Sequence, residues 1–431
     1  MAALAPVGAL LLSVALLLTG NGLQGTLLPV RASIESFSAL SIGVLGASYY
    51  IGFVFGCLIT PRLIERVGHI RLFTAMVAIA SATPLAHALF VSPAFWWIMR
   101  GLAGICLASL YMIIESWLNE RASTENRGAI FTTYTTVNYS VITLGQLLML
   151  ADDPANYPLY LLASILVSVA AVPVALTRSP QPAPMNSSRM PFGTLFRLSP
   201  VGVMGCVVVG LANGAFWAMG PAFALQSGLD VTGVALFMSA VVVGGALSQW
   251  PFGRISDRMD RRVTLLFACV AAGGAGVAVI AAGLYMPKFT VVAGFLFGVF
   301  SFPVYALSVA HTNDVAKDTE FVAVAGGLLL INGIASVIGP LLASLVMEGM
   351  GPTGLFAFTA ATHGLMALFT VYRMRQRSAP PADQKGDFVP MPAMAPRWVD
   401  VDPRSEETAP DAGPPPEDTP SGPDGETGRA A

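Results

Sequence analysis

Charge is missing from this sequence in long, regular stretches. Runs without Asp, Glu, Lys or Arg cover 1–30, 36–61, 72–99, 128–151, 154–177, 198–229, 231–253, 263–287, 289–313, 321–347 and 349–372. A bilayer core of ~30 Å is crossed by about 20 helical residues, and each run reaches that length. The run 72–99 is broken at Ser92-Pro93, which predicts a third helix over 72–91 and a fourth over 94–118, the latter carrying Arg100 and Glu115. Twelve spans result. Only 11% of residues are charged and 55% are hydrophobic, too few charges for the surface of a soluble domain, which averages roughly 25%. Alternating β-barrel patterning is absent, so the spans are helices that satisfy their own backbone. The expected fold class is an all-α membrane protein. Residues 1–30 have no basic leading region and too long an apolar stretch for a secretory signal, and are read as the first span.

Basic residues set an orientation. With a cytoplasmic N-terminus, the inside connections hold sixteen Arg and Lys, from Arg62 to Arg377, and the outside ones only Arg31 and Lys288. By the positive-inside rule both termini are expected in the cytoplasm, with the chain in the cell inner membrane. Residues 378–431 hold 4 basic and 11 acidic groups among many Pro and Gly and read as a disordered acidic tail. Cys57, Cys106, Cys206 and Cys269 fall inside spans without Cys-x-x-Cys spacing or nearby His, which argues against disulfides and a metal site.

The chain repeats itself. A shift of 192 residues aligns Asn21-Gly22 with Asn213-Gly214, Pro29 with Pro221, Gly52 with Gly244, Arg62 with Arg254, Glu65 with Asp257 and Arg66 with Arg258. A shift of 194 aligns Tyr111 with Tyr305, Asn119 with Asn313, Glu120 with Asp314, Asn138 with Asn332 and Gly145 with Gly339. Paired Asn and Arg are costly coincidences where both are scarce. The organisation read from this is a six-helix lobe over 1–177, a cytoplasmic linker over 178–197, a second six-helix lobe over 198–377 and the tail over 378–431. Inverted and repeated halves of this kind build transporters around a central site.

Gly253-Arg-Ile-Ser-Asp257-Arg258-Met-Asp260-Arg261-Arg262 resembles the loop signature of the major facilitator superfamily, G-x-x-x-D-[RK]-x-G-[RK]-[RK]. The first-lobe copy runs from Pro61 through Arg62, Glu65, Arg66 and Gly68 to Arg71. Asp260 replaces the second Gly in one copy, and Pro61 and Glu65 replace Gly and Asp in the other. Arg100-Gly-Leu-Ala-Gly104 resembles the R-x-x-x-G element of the same superfamily, and Glu120 with Arg127-Gly128 echoes a sugar-porter pattern after helix 4. The block Glu115-Ser-Trp-Leu-Asn119 through Arg127-Gly128, with Gly145-Gln146-Leu-Leu and Gln249-Trp-Pro-Phe-Gly253-Arg254, is similar to the YcaD-type branch. The resemblance covers about residues 7–375 and implies a major-facilitator fold without naming a cargo. It also implies that Arg62, Glu65, Arg66, Gly68, Gly253, Arg254, Asp257 and Arg258 form gate loops holding the lobes together in one conformation. The antiporter pattern G-x-x-x-G-P is not met on helix 5, where Gln146 follows Gly145.

Polar side chains inside spans are expensive in lipid and are expected to face the bundle interior. Asn21, Gln24, Arg100, Asn138, Gln146, Asn213 and Asn332 are the expected substrate-cavity residues. Helices 3, 6, 9 and 12, the outer supports in this superfamily, carry no Asn, Gln, Arg or Glu. For each single Asn the plainer reading is interhelical hydrogen bonding, an even bet for Asn21 and Asn213 beside Gly. Glu115 is the expected coupling residue, either a gate member paired with Arg66, Arg121 or Arg127 or a proton carrier, against the plainer role of an interfacial anchor. Gly52-x-x-x-Gly56, Gly210-x-x-x-Gly214 and Gly294-x-x-x-Gly298 read as close helix packing.

These features point to a monomeric secondary transporter in the lipid bilayer, moving a small-molecule substrate and driven by protons, with no nucleic-acid partner and no cofactor. No G-K-[ST] phosphate loop precedes Lys288, Lys317 or Lys385, and no nucleophile-base pair or metal cluster marks an enzyme. The alternative is a non-transporting membrane sensor or scaffold that keeps the fold.

Overall fold

The computed structural model describes residues 8–122, 126–176, 190–317, 320–376, 386 and 388. Twelve long helices form two lobes. The first holds α1 (Gly8–Ile34), α2 (Ala39–Val67), α3 (His69–Leu89), α4 (Pro93–Arg121), α5 (Arg127–Leu147) and α6 (Pro158–Ala175). The second holds α7 (Pro200–Gln226), α8 (Val231–Arg258), α9 (Arg261–Tyr285), α10 (Pro287–Asn313), α11 (Phe321–Met350) and α12 (Gly354–Gln376). Eleven of them are long and apolar enough to cross a membrane. The twelfth, α5, is diluted by Thr, Asn and Gln, yet it packs between α1 of its own lobe and α8 of the other. No strand occurs among the described residues.

Helix starts follow their capping residues. Ser38 accepts from the Ser41 amide at 3.1 Å to open α2, and Asp230, its partner under the 192-residue shift, accepts from Gly233 at 2.8 Å to open α8. Pro93 and Pro200 occupy first helical positions, where the missing N–H costs nothing. The expected break at Ser92-Pro93 is therefore real. A short helix, Phe192–Leu198, lies in the described end of the 178–197 linker and packs on α11 and α7; residues 177–189 lie outside the described residues.

The repeat reappears in the packing. A Cβ on Gly52 would collide with the Gly101 carbonyl of α4, and one on Gly244 with the Phe295 carbonyl of α10, the matching residue. A Cβ on Gly145 would strike the Thr19 carbonyl, and one on Gly339 the Leu211 carbonyl, again matching residues. The glycines let α2 close on α4 and α5 on α1, twice over, where dispersion between backbones replaces the hydrophobic effect that lipid cannot supply.

Twelve crossings return the chain to the face it started from. At the far face, buried apolar residues of both lobes merge in one cluster that includes Leu27, Ile42 and Ile142 with Phe216, Phe237 and Met347. Toward the terminal face the core divides. One cluster, with Leu17, Phe73 and Ile114, belongs to the first lobe and another, with Val203, Leu265 and Leu307, to the second. Far-face contacts are tight: Gly43 of α2 meets Pro340 and Ser344 of α11, Gly46 meets Ala218, and Gln226 donates to Ser33 at 3.4 Å.

Candidate functional site

On the far-face side of the bundle's middle a cavity lies along the seam of the lobes, lined by Tyr49, Tyr50, Arg100 and Gln146 from the first and Trp217 and Met238 from the second. Gly22, Gly25 and Gly46 form part of its wall. Arg100 is 8% exposed and its guanidinium lies 4.5 Å above the Tyr49 ring. Three buried polar atoms of the lining, Arg100 Nη1, Gln146 Oε1 and Trp217 Nε1, have no hydrogen-bond partner within the protein. Such atoms cost about 1–3 kcal/mol each when left unmet, and a charged one more.

Of the seven residues expected in the cavity, the structure brings Arg100 and Gln146 to it. Asn138 and Asn332 sit at matching depths, each eleven residues into its helix and thus roughly 16 Å from the terminal face. Asn138 is fully buried beside Tyr111 without a well-formed hydrogen bond, and Asn332 Oδ1 is also unmet. Gln24 turns to α3, its amide 3.5 Å from Thr83. Asn213 accepts from Ser301 at 2.7 Å, and Ser301 lies 3.3 Å from His363 of α12, so Asn213 ties three helices of one lobe. Asn21 is buried in α1 and makes contacts of its own. Tyr49, Tyr50, Trp217 and Met238 escaped the sequence reading because, in an apolar helix, a lining aromatic has the same composition as a packing one.

Glu115 is fully buried in α4, so it does not reach a head-group layer as an anchor would. Tyr134 of α5 donates to it at 3.5 Å. A polar link crosses the seam where Gln249 of α8 donates to the Tyr139 hydroxyl at 3.2 Å.

The two loop motifs lie at the terminal face. Arg62, Glu65 and Arg66 are exposed at the end of α2, followed by Gly68 with φ 82°. In the other lobe Gly253 is buried and Arg254 lies 3.9 Å over the Trp250 ring, while Arg258 is exposed. Asp257 meets Arg261 at 3.3 Å, and Arg261 also donates to Asp314 at 2.7 Å, both partners of that second pair being buried. Asp260 stands where the motif has glycine because its φ is −58°, and its carboxylate caps α9 through Arg262. Burial raises the Asp260 carboxyl, but the hydrogen bonds and charge of Arg262 prevail and hold it below the usual range. Two residues of the stretch read as a disordered tail are seated here. Gly386 donates to Asp314 at 3.2 Å and accepts from Arg261, and Phe388 packs on Gly253; the rest of that tail lies outside the described residues.

A two-lobed bundle of membrane-crossing helices with a polar cavity on its seam defines a multi-pass membrane transporter of the repeat-built kind. The chain belongs to the Major Facilitator Superfamily, whose family model matches residues 10–320 and again 203–401. It is 26% identical over 381 residues to the uncharacterized MFS-type transporter YcaD of Escherichia fergusonii, covering 88% of this chain and 98% of that one. Among solved structures it is similar to the nucleoside transporter NupG (TM-score 0.69, 14% identity, 86% of this chain and 99% of the other). It is also similar to a bacterial homolog of the human lysosomal transporter Spinster in its inward-facing, unoccupied conformation (TM-score 0.68, 15% identity, 88% and 99%). These structural likenesses establish the fold.

Proposed function

We propose that the chain is a secondary active transporter that moves a small solute through the seam cavity by alternating access, driven by protons. It sits in the inner membrane with both termini and the 178–197 linker in the cytoplasm. The observation that carries this reading is the division of the apolar core, shared by both lobes at the far face and separate at the terminal face. Two bodies joined at one end can exchange that seal for one at the other end by rocking, which is the motion alternating access needs. The sixteen-to-two excess of basic residues at terminal-face connections supports a cytoplasmic location for that face. Glu115, buried in α4 and accepting from Tyr134, is the carboxylate proposed to take up and release a proton as the seam opens and closes.

The test uses the far-face contact between Ser33 and Gln226. In the double variant Ser33→Cys, Gln226→Cys a short reducible thiol cross-linker joins the lobes, while the four native cysteines are buried and spared. Solutes come from comparing metabolites of deletion and overexpression strains, and flux is read in proteoliposomes. Cross-linking is expected to stop flux and a reductant to restore it. Full flux through completely cross-linked protein would sink the proposal.

A further inference from the structure

The seam cavity contains a positive charge with no negative one beside it. Arg100 is more than nine-tenths buried, and among the described residues no carboxylate forms an ion pair with it. Glu115, the acid on the same helix, is fifteen residues away, about 22 Å along the axis. The Tyr49 ring covers one face of the guanidinium, a contact worth about 0.5–2 kcal/mol. A charge within a membrane span costs about 2.5–3.5 kcal/mol or more. The contact leaves a deficit, and Nη1 still points at nothing.

The remaining unmet atoms narrow what would remove that deficit. Trp217 Nε1 is a second free donor, from the opposite lobe, and Gln146 Oε1 is a free acceptor. The rest of the lining, including Tyr50, Ala218 and Met238, is apolar or aromatic apart from Thr26, whose hydroxyl donates to the Gly22 carbonyl at 3.3 Å. At Gly25 a Cβ would meet nothing within 4 Å, so open space lies against that part of the wall. No other Lys, Arg or His lines the cavity. A neutral solute leaves the guanidinium uncompensated, a cation is repelled by it, and a dianion lacks a second positive partner.

Building on the transport reading above, we infer that the solute is a small organic monoanion. Its carboxylate binds Arg100 and Trp217, its single hydrogen-bond donor binds Gln146, and its compact apolar body lies against Tyr50 and Met238. Charge-assisted bonds of this type are the stronger class. Because donors come from both lobes, the anion also helps draw the lobes together.

The experiment measures binding to the full-length protein in detergent by calorimetry and thermal unfolding. The probes are lactate, 2-hydroxybutyrate, mandelate and 4-hydroxyphenylacetate, each beside its neutral amide, with a phosphate monoester as the dianion. At least one acid is expected to bind, with its amide tenfold weaker or worse and the phosphate no better than the amide. Arg100→Gln is expected to lose roughly tenfold to a hundredfold in acid affinity, and Arg100→Lys to recover part of it. Removing an unpaired buried charge leaves the empty Arg100→Gln protein at least as stable as wild type. Gly25→Leu, which fills open space, is expected to fold and to block the acids. Amides bound as well as acids, acid binding indifferent to Arg100→Gln, or no acid bound at millimolar concentration would each overturn the assignment. Arg100-dependent binding without flux in proteoliposomes leaves this inference standing and removes transport. Arg100-independent flux of a neutral solute does the reverse.

Discussion

The two loop motifs at the terminal face share a sequence pattern and differ in what holds them. In the second lobe Asp257 and Asp314 both engage Arg261, Arg254 lies on Trp250, Gly386 donates to Asp314 and Phe388 packs on Gly253. In the first lobe Arg62, Glu65 and Arg66 are exposed, and α3 meets α4 through His69. His69, where the other lobe has Arg261, lies 3.4 Å from Ser116 and beside the Trp117 ring. A repeated motif therefore does not mean a repeated energetic role. One copy includes a buried ion pair between Arg261 and Asp314, whereas the acid and two arginines of the other are exposed.

The largest expected effect comes from cutting the two ties. Arg261→Ala removes the cation paired with buried Asp314 and should cost about 3–5 kcal/mol, read as loss of folded protein on size-exclusion chromatography. His69→Ala removes a long hydrogen bond and a ring contact, at about 1 kcal/mol. The paired change Arg261→Met, Asp314→Leu should recover most of the loss. Equal penalties at Arg261 and His69 would erase the distinction between the lobes.

A second contrast lies deeper. Glu115 of the first lobe is matched by Val309 of the second under the 194-residue shift, so any buried acid chemistry at that level is one-sided. Glu115→Gln keeps the shape and is expected to fold, to retain solute binding, and to flatten the pH dependence of flux in proteoliposomes. An unchanged pH profile and rate would remove Glu115 from coupling.

The smallest effects concern the second glycine of the motif. Gly68 has φ 82°, so Gly68→Ala should destabilise by about 1–2 kcal/mol, whereas Asp260→Ala loses a cap worth about 1 kcal/mol. The Asp260 contribution also depends on pH. Its folded carboxyl is held below the ordinary range, so the stabilisation is complete above the unfolded pKa and is lost as pH falls through the folded one. Thermal unfolding of Asp260→Ala and wild type should converge in acid, while the Gly68→Ala difference persists.

Much of this was legible from residues alone because the membrane simplifies the code. Charge-free runs mark spans, Ser92-Pro93 marks a break, and paired glycines mark where helices touch. The rotation of each helix was harder to read. Gln24 and Asn213 are as polar as Gln146, but their hydrogen bonds turn them to Thr83 and Ser301 within their own lobes. Polarity says that a side chain avoids lipid, and it does not say which interior neighbour receives it. Arg261 and Asp314 lie fifty-three residues apart, and nothing local to either announces the pair.

The seat occupied by Gly386 and Phe388 acts as a receptor for a ligand on a leash. Nine residues separate Gln376, the last of α12, from Gly386, a tether that reaches no farther than about 35 Å. Confinement to such a radius sets an effective concentration on the order of millimolar. At such a local concentration even a millimolar intrinsic affinity would keep the segment bound about half of the time. A competitor in solution must then exceed that local concentration, weighted by relative affinity, before it displaces the chain's own end from Arg261 and Asp314.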